Sequence, residues 1–323
     1  MPSMSTISVY MNQQASHCSF NFWKDRIHRS LFRSDVNYRT PKSLSELYEA
    51  LRLDIANGVD TIVSVGGDGT VNTLIQEIAG KNISLLVVPG GTANDLASEL
   101  GHKGGVDEVI RCIRQGETSA IDLININGRY MATNGGIGFG GDVAKRINTL
   151  RQKTPSFKKV MNITGKSIYS FFVAQELLSG SYETIDVEIE SDQLSGRFTT
   201  CALWVNNQSK IADTFTIAPD TKNNDGTFNL VLLTHPNRAM LINCFLKVLR
   251  GKYPLDDPHF ISVETSKAKL SFSTPTEFFG DGEIFSQSDT FNIEVAPKAL
   301  SVFSLKLGQK NMTPLAPAQI ALS

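Results

Sequence analysis

Two short glycine-rich segments hold the residues best suited to chemistry. The first is Gly66-Gly67-Asp68-Gly69-Thr70, continued by Val71 and Asn72. Glycines let backbone N–H groups approach a phosphate closely, and a helix starting here would aim its positive dipole end at the same anion. Thr70 can donate to a phosphate oxygen. Asp68 would repel phosphate unless a Mg²⁺ ion bridged the two. A tight strand-to-helix turn with an exposed aspartate is the plainer alternative. Three glycines around one acid within five residues favour the phosphate reading.

The second segment is Pro89-Gly90-Gly91-Thr92-Ala93-Asn94-Asp95. Its hydroxyl, amide and carboxylate suit a nucleotide neighbour, although Thr92 or Asn94 could equally cap a helix. Its place at the next strand end, beside the first loop, favours a shared site. A third candidate, Asp281-Gly282-Glu283, taken alone reads as a polar hairpin turn.

The elements around these loops set where they must sit. Residues 61–65 (TIVSV) form a short apolar run that ends at the first loop, and 83–88 form another that ends at the second. Helical patterns follow each, over 71–79 closed by Gly80 and onward through Leu100 to Gly101. A strand over 7–10 and a serine-capped helix over 43–56 precede them. Strand–helix alternation implies a parallel sheet covered by helices on both faces, with ligands beyond the carboxyl ends of its strands. From about Ile121 the period changes. Ile185, Val187 and Ile189 alternate with Asp186, Glu188 and Glu190, as a half-exposed strand does. Further strands are expected over 198–205, 227–234, 268–272, 291–295 and 300–305, with a hairpin at Asn127-Gly128 and helices over 168–178 and 240–249. The expected fold is an α/β domain over residues 1–121, completed by residues from about 298–323, followed by an antiparallel β domain over 122–297.

Composition narrows the classes. The 323 residues are 41% apolar and 20% charged with a formal net charge of -1, so no global attraction to nucleic acid exists. The four cysteines (Cys18, Cys112, Cys201, Cys244) form no C-x-x-C pair, and the five histidines are scattered without an H-E-x-x-H. Neither a disulfide framework nor a zinc site is suggested. No apolar run reaches the ~18–20 residues that span a bilayer, and Met1-Pro2-Ser3-Met4 does not open a signal peptide; a cytoplasmic protein is expected. Two tempting strings fail. Gly165-Lys166-Ser167 lacks the first Walker A glycine, since position 160 is Val160. Gly136, Gly138 and Gly141 have G-x-G-x-x-G spacing but no strand with a ribose-binding acid after the next helix; a glycine-rich wall of an interdomain cleft, or simple packing, fits better.

The ordered set of motifs resembles the diacylglycerol-kinase catalytic family, which includes bacterial lipid kinases and sphingosine kinases. Its carriers are Gly66 through Asn72, Pro89 through Asp95, Asn134-Gly135-Gly136-Ile137-Gly138-Phe139, Ala218-Pro219 through Asp225-Gly226, and Asp281-Gly282-Glu283. The first motif is shared with NAD kinases and phosphofructokinases; the set is specific. The resemblance implies a Rossmann-like α/β nucleotide-binding domain, a β-sandwich domain and an active site in the cleft between them. It implies ATP and Mg²⁺ as cofactors and a lipid alcohol as phosphoryl acceptor. Gly66, Gly67, Asp68, Gly69, Thr70, Val71 and Asn72 would hold ATP phosphates with Asp68 near the catalytic Mg²⁺. Thr92, Asn94 and Thr40 would contact nucleotide. Glu283 matches the proton acceptor, with Asp281 beside it. Asp225 and the carbonyls of Lys222 and Thr227 match a structural Mg²⁺ site; Asn229 stands where the family often has an acid.

A lipid kinase must reach a bilayer-embedded hydroxyl, so peripheral membrane contact is expected. Met240, Leu241, Cys244, Phe245, Val248 and Leu249 form an apolar stripe flanked by Arg238, Lys247, Arg250 and Lys252; Lys153, Lys158, Lys159 and Lys166 precede the 168–178 segment. Basic charge beside such helices suits an anionic surface, and packing on the β domain is the alternative. Nucleic acid is not an expected partner, and a homodimer is left open. The competing functions are a soluble-substrate kinase such as NAD kinase, and a non-catalytic nucleotide-binding module.

Overall fold

The computed structural model describes residues 5–12, 20–31, 34–91, 94–139, 141, 143, 145, 146, 149, 150, 172, 173, 175, 183–211, 215–249, 254 and 256–304. Its first part is a parallel sheet in the order β2-β1-β3-β4, formed by β1 (Thr6–Met11), β2 (Asp35–Arg39), β3 (Thr61–Gly66) and β4 (Ser84–Pro89). Every residue of β3 is buried, because a central parallel strand is covered on both faces. Its side chains alternate accordingly. Ile62 packs with Leu47, Leu51, Leu74, Ile75 and Ile78 from helices α2 (Leu44–Ala56) and α3 (Asp68–Ile78). Val63 and Val65 pack on the other side against Trp23, Ile27 and Val109 of α1 (Phe20–Ser30) and α5 (Val106–Gln115). Helix α2 starts where its capping serine stands, Ser43 accepting from the Glu46 N–H at 3.2 Å. A short helix α4 (Asp95–Leu100) follows β4 and ends on left-handed Gly101.

Two expectations shift here. Helix α3 begins at Asp68 rather than Val71, with Gly67 as its N-cap, so the last three residues of the glycine motif are the first helical turn. The segments over 291–295 and 300–305 belong to one 21-residue strand, β16 (Glu283–Phe303). A register break between Ala296 and Leu300, with Lys298 left-handed at φ 51°, bends this strand without ending it. Beyond the bend, Ser301 and Val302 pair in parallel with Ser84 and Leu85 of β4. One strand thus joins the two parts of the molecule.

The remainder is antiparallel. From β16 the sheet runs through β15 (Lys267–Gly280), β7 (Asn134–Gly138), β10 (Ala202–Asn206), β13 (Phe228–Leu233) and β14 (Phe260–Thr265). Strands β5 (Thr118–Ile126) and β6 (Arg129–Met131) attach to β16, while β8 (Ile185–Ser191) and β9 (Gly196–Thr200) attach to β15. The layers enclose Ile124, Val187, Ile189, Leu203, Leu230 and Phe291. Strand β8 buries Val187 and Ile189 and exposes the acids between them. The expected strand over 198–205 is two strands, β9 and β10, divided at Cys201. Asn127 and Gly128 take the left-handed pair of conformations that a two-residue hairpin needs. Helix α6 (Arg238–Leu249) covers the outer face through Leu241, Cys244 and Val248. Elements α1, β2, α5, β7 and β14 were not among the expected ones. Most of the expected helix over 168–178, and its basic lead-in, lies outside the described residues.

Candidate active site

The two glycine loops pack backbone on backbone. Gly90 N–H donates to the Gly66 carbonyl at 2.8 Å. A Cβ on Gly91 would stand 2.7 Å from Gly67 Cα, so no side chain fits between the loops. Asn94, left-handed at φ 52°, closes the second loop by accepting from Gly91 N–H at 2.7 Å and donating to the Gly91 carbonyl at 2.8 Å. Asp68 then ties the loops together, its two carboxylate oxygens accepting the Asn94 and Asp95 N–H groups at 3.0 Å each. Thr70 lies against Gly66, where a Cβ would come within 2.9 Å of its hydroxyl oxygen, and Asn12 at the end of β1 donates to that oxygen at 3.4 Å. Val71 is buried and its N–H donates to Gly67 O, so it serves the helix start. Thr40 follows the last residue of β2, at the same carboxyl edge of the sheet. Thr92 lies outside the described residues.

Opposite these loops sits the β15–β16 turn. Gly280 pairs with Glu283 across a two-residue loop in which Asp281 (φ 49°) and Gly282 (φ 80°) are both left-handed. Asp281 is 6% exposed and accepts four hydrogen bonds: from Asn72 Nδ2 at 2.6 Å, Ala132 N–H at 3.1 Å, Thr133 N–H at 2.8 Å and Thr133 Oγ1 at 2.7 Å. Asn72 therefore turns from the loop toward Asp281, and also donates to the Tyr130 carbonyl. Gln76, one turn along α3, makes a two-way clasp with the Tyr130 backbone at 2.7 and 2.9 Å. This stitching holds α3 to β6 and to the turn. The outcome is that Glu283, itself exposed, lies over the glycine loop: a Cβ on Gly69 would collide with Glu283 Oε1. Ile284 beside it is 49% exposed.

Two acids meet behind this surface. Burial pushes the Asp68 carboxyl above its ordinary range, and the charge of Asp281 raises it further, against the opposing Asn94 and Asp95 N–H groups. Burial likewise raises Asp281, offset in part by its donors. Such carboxyls cost stability when ionised, and the cost falls as pH drops through their raised values.

The other candidate residues lie elsewhere. Asp225 is exposed, and its Oδ1 accepts from the Thr227 hydroxyl at 2.9 Å. The same hydroxyl lies 2.9 Å from Glu264 Oε1. Glu264 is the cross-strand partner of Asn229, so an acid reaches this loop from β14 although position 229 is an amide. Lys222 is in the same loop. Asp122, unremarked in the sequence, anchors it: its carboxylate accepts Gly226 N–H and Lys298 N–H at 2.7 Å each. A lone acid inside the apolar run over 121–126 was the available signal. Gly136 proves to be a packing glycine, left-handed at φ 154° with its missing Cβ directed into the Leu203 carbonyl.

A glycine-lined edge of a parallel sheet, one buried and one half-buried acid behind it and an exposed glutamate in front define a phosphotransferase of the two-domain nucleotide-kinase class. Residues 6–126 match the family model described as diacylglycerol kinase catalytic domain. Residues 141–304 match the YegS C-terminal NAD kinase beta sandwich-like domain. The chain belongs to the diacylglycerol kinase family and is an ATP-dependent lipid kinase. It is 30% identical over 227 residues to the diacylglycerol kinase of Bacillus subtilis (strain 168), covering 69% of this chain and 71% of that one. It is 25% identical over 277 residues to a Staphylococcus epidermidis diacylglycerol kinase, covering 80% and 84%. A crystal structure of a diacylglycerol kinase from Bacillus anthracis str. Sterne superposes with a TM-score of 0.70 over 94% of this chain and 98% of that one, at 18% identity; this shows the shared fold. No helix among the described residues is long and apolar enough to cross a membrane.

Proposed function

We propose that the protein transfers the γ-phosphoryl group of ATP to the hydroxyl of a diacylglycerol-like lipid, with Glu283 as the proton acceptor. The observation that carries this reading is the Glu283 carboxylate lying over Gly69. A base at that point meets a hydroxyl arriving from solvent at the place where the loop holds the terminal phosphate. Phosphoryl transfer asks a protein for positioning, charge neutralisation and a proton acceptor. Gly66, Gly67, Gly69 and Thr70 supply the cradle, with Thr40, Thr92 and Asn94 beside the nucleotide. Asp281, with all four donors upon it, positions the turn rather than touching the acceptor. Ile284 offers the lipid body an apolar rim next to the base.

The acids fit divalent ions. The half-buried Asp68 carboxyl is made costlier to ionise by the charge of Asp281, which a cation at Asp68 would relieve; Asp68 would hold Mg²⁺, which neutralises phosphate charge. At the second site, Asp225 and Glu264 share one hydroxyl proton from Thr227, and the carbonyls of Lys222 and Thr227 would complete an oxygen set suited to a hard cation. Membrane contact falls to a smaller surface than the apolar stripe suggested. Leu241, Cys244 and Val248 face the core, leaving Met240 and Leu246, 38% and 40% exposed, beside Arg238 and Lys247. The direct test offers labelled ATP with diacylglycerol, phosphatidylglycerol and a sphingoid base in mixed micelles, and NAD in parallel. Labelled diacylglycerol is expected; labelled NAD with unlabelled lipids refutes the lipid assignment.

A further inference from the structure

The strongest chemistry outside the kinase site lies at the other end of β13 from Asp225. His235 follows that strand, Asp257 precedes β14, and Cys244 projects from the middle of α6. Their ligand atoms all lie within 4.8 Å of one another. His235 and Cys244 are each 2% exposed, and the Asp257 side chain is 12% exposed. A buried imidazole, thiol and carboxylate, drawn from three separate elements, have come together where an ordinary core would hold apolar groups.

We propose that His235, Cys244 and Asp257 form a structural site for a zinc-class divalent cation. This set combines one sulfur, one nitrogen and one oxygen donor, which suits zinc and disfavours magnesium. The spacing agrees. His235 Nε2 and Asp257 Oδ2 are 3.3 Å apart, long for a charge-assisted hydrogen bond of ~2.7–2.9 Å. Two donors at ~2.0–2.1 Å from a tetrahedral ion stand about 3.3–3.4 Å apart. Closing the thiolate onto the same ion takes a shift of up to about 1.2 Å, since the atoms lie within 4.8 Å of one another and sulfur–nitrogen edges are about 3.6 Å. Asp257 is the most exposed of the three, and the His259 ring centre is 5.6 Å from that of His235.

His235 and Asp257 lean the same way and Cys244 the other. Burial pushes His235 toward the neutral, ligating form. The His259 N–H and the His235 ring hold Asp257 below the usual carboxylate range despite burial. Burial pushes the Cys244 thiol up to about 11 with Asp257 adding to it, so the metal must displace that proton: Zn²⁺ binds, one proton leaves, and the thiolate neutralises charge in the pocket. The site would pin α6 to the β13–β14 end. Without a metal, the same His235–Asp257 contact would simply fasten a loop.

The full chain, stripped by a chelator and dialysed, is titrated with Co²⁺ while the thiolate-to-cobalt charge-transfer absorption is followed. The expectation is one equivalent bound, displaced by Zn²⁺ and not by Mg²⁺, with one proton released and a rise in Tm on zinc addition. Cys244→Ser should remove the absorption and the proton. Asp257→Asn should keep the absorption at weaker affinity. Cys201→Ser should keep the absorption, since Cys201 is outside the ligand set and its Sγ donates to the Leu233 carbonyl at 3.2 Å. A wild-type chain showing no thiolate absorption overturns the site, and this holds even if the variants fail to fold. Absorption that survives Cys244→Ser in a folded variant also overturns it.

Discussion

The carboxyl edge of the parallel sheet and the β15–β16 turn face one another, yet they are assembled by different means. At the edge, glycines 66, 67, 90 and 91 are close in sequence and pressed together as backbone, with Asp68 and Asn94 as local clips. At the turn, two left-handed residues set the hairpin, but its place depends on Asn72, more than two hundred residues earlier in the chain. The first region is a cradle that its own segment can build. The second is the proposed proton acceptor, aimed by borrowed hydrogen bonds. A phosphotransferase needs both within a few ångströms, and the long strand β16 makes that possible by starting at Glu283 and ending beside β4.

That contrast can be broken in a graded way. The largest effect belongs to Glu283→Gln, which keeps the shape and removes the base: kcat should fall about 10²–10⁴-fold with ATP affinity nearly intact. Steady-state kinetics beside equilibrium ATP binding would check this; near-full turnover would falsify the base assignment. Gly91→Ala should act on the cradle, since its Cβ meets the Gly67 backbone and neither can retreat. A displacement of about 1 Å can cost ~10² in rate, and here ATP affinity should fall as well, which isothermal titration reads. Asn72→Ala tests the borrowed contact. It leaves one Asp281 oxygen short of a donor, worth about 1–3 kcal/mol, and kcat should drop about tenfold with little change in ATP affinity. An unchanged kcat would show that the turn holds itself.

The smallest effect on turnover belongs to Asp54→Asn. The buried Asp54 accepts from Tyr10 at 2.7 Å and from Arg39. Burial pushes its carboxyl up, but Arg39 and Tyr10 more than reverse this and hold it below the ordinary range. A lowered carboxyl stabilises the fold above its unfolded value of about 3.9 and loses that contribution as pH falls through the lowered one. The Tm gap between wild type and Asp54→Asn should therefore be full at pH 7 and shrink below about pH 4, with kcat unchanged.

Legibility followed the same division. The strands over 61–65 and 83–88, the serine cap at Ser43 and the hairpin at Asn127 were readable, because each is a local pattern of burial or turn chemistry. Strand β7 was not, because Asn134 through Gly138 is a central strand whose glycines carry no apolar signal; only the crowding of Leu203 and Phe279 explains them. The roles of Asn72 and Glu264 were equally hidden. An asparagine in a phosphate motif looks like a ligand until Asp281 takes its amide, and that Glu264 stands across the ladder from Asn229 and accepts from Thr227 follows only from strand pairing. The stripe on α6 was visible as periodicity, but periodicity alone does not say whether an apolar face meets a core or a membrane.

Residue order by itself determined the motif set, the switch from helical to two-residue period, and with them the kinase family, since these depend on neighbours along the chain. Only the tertiary structure decided that Glu283 overlies Gly69, that Asp281 positions its turn, and that His235, Cys244 and Asp257 converge. Those contacts join segments far apart in sequence, and their distances follow from strand pairing and core packing, which no local pattern encodes.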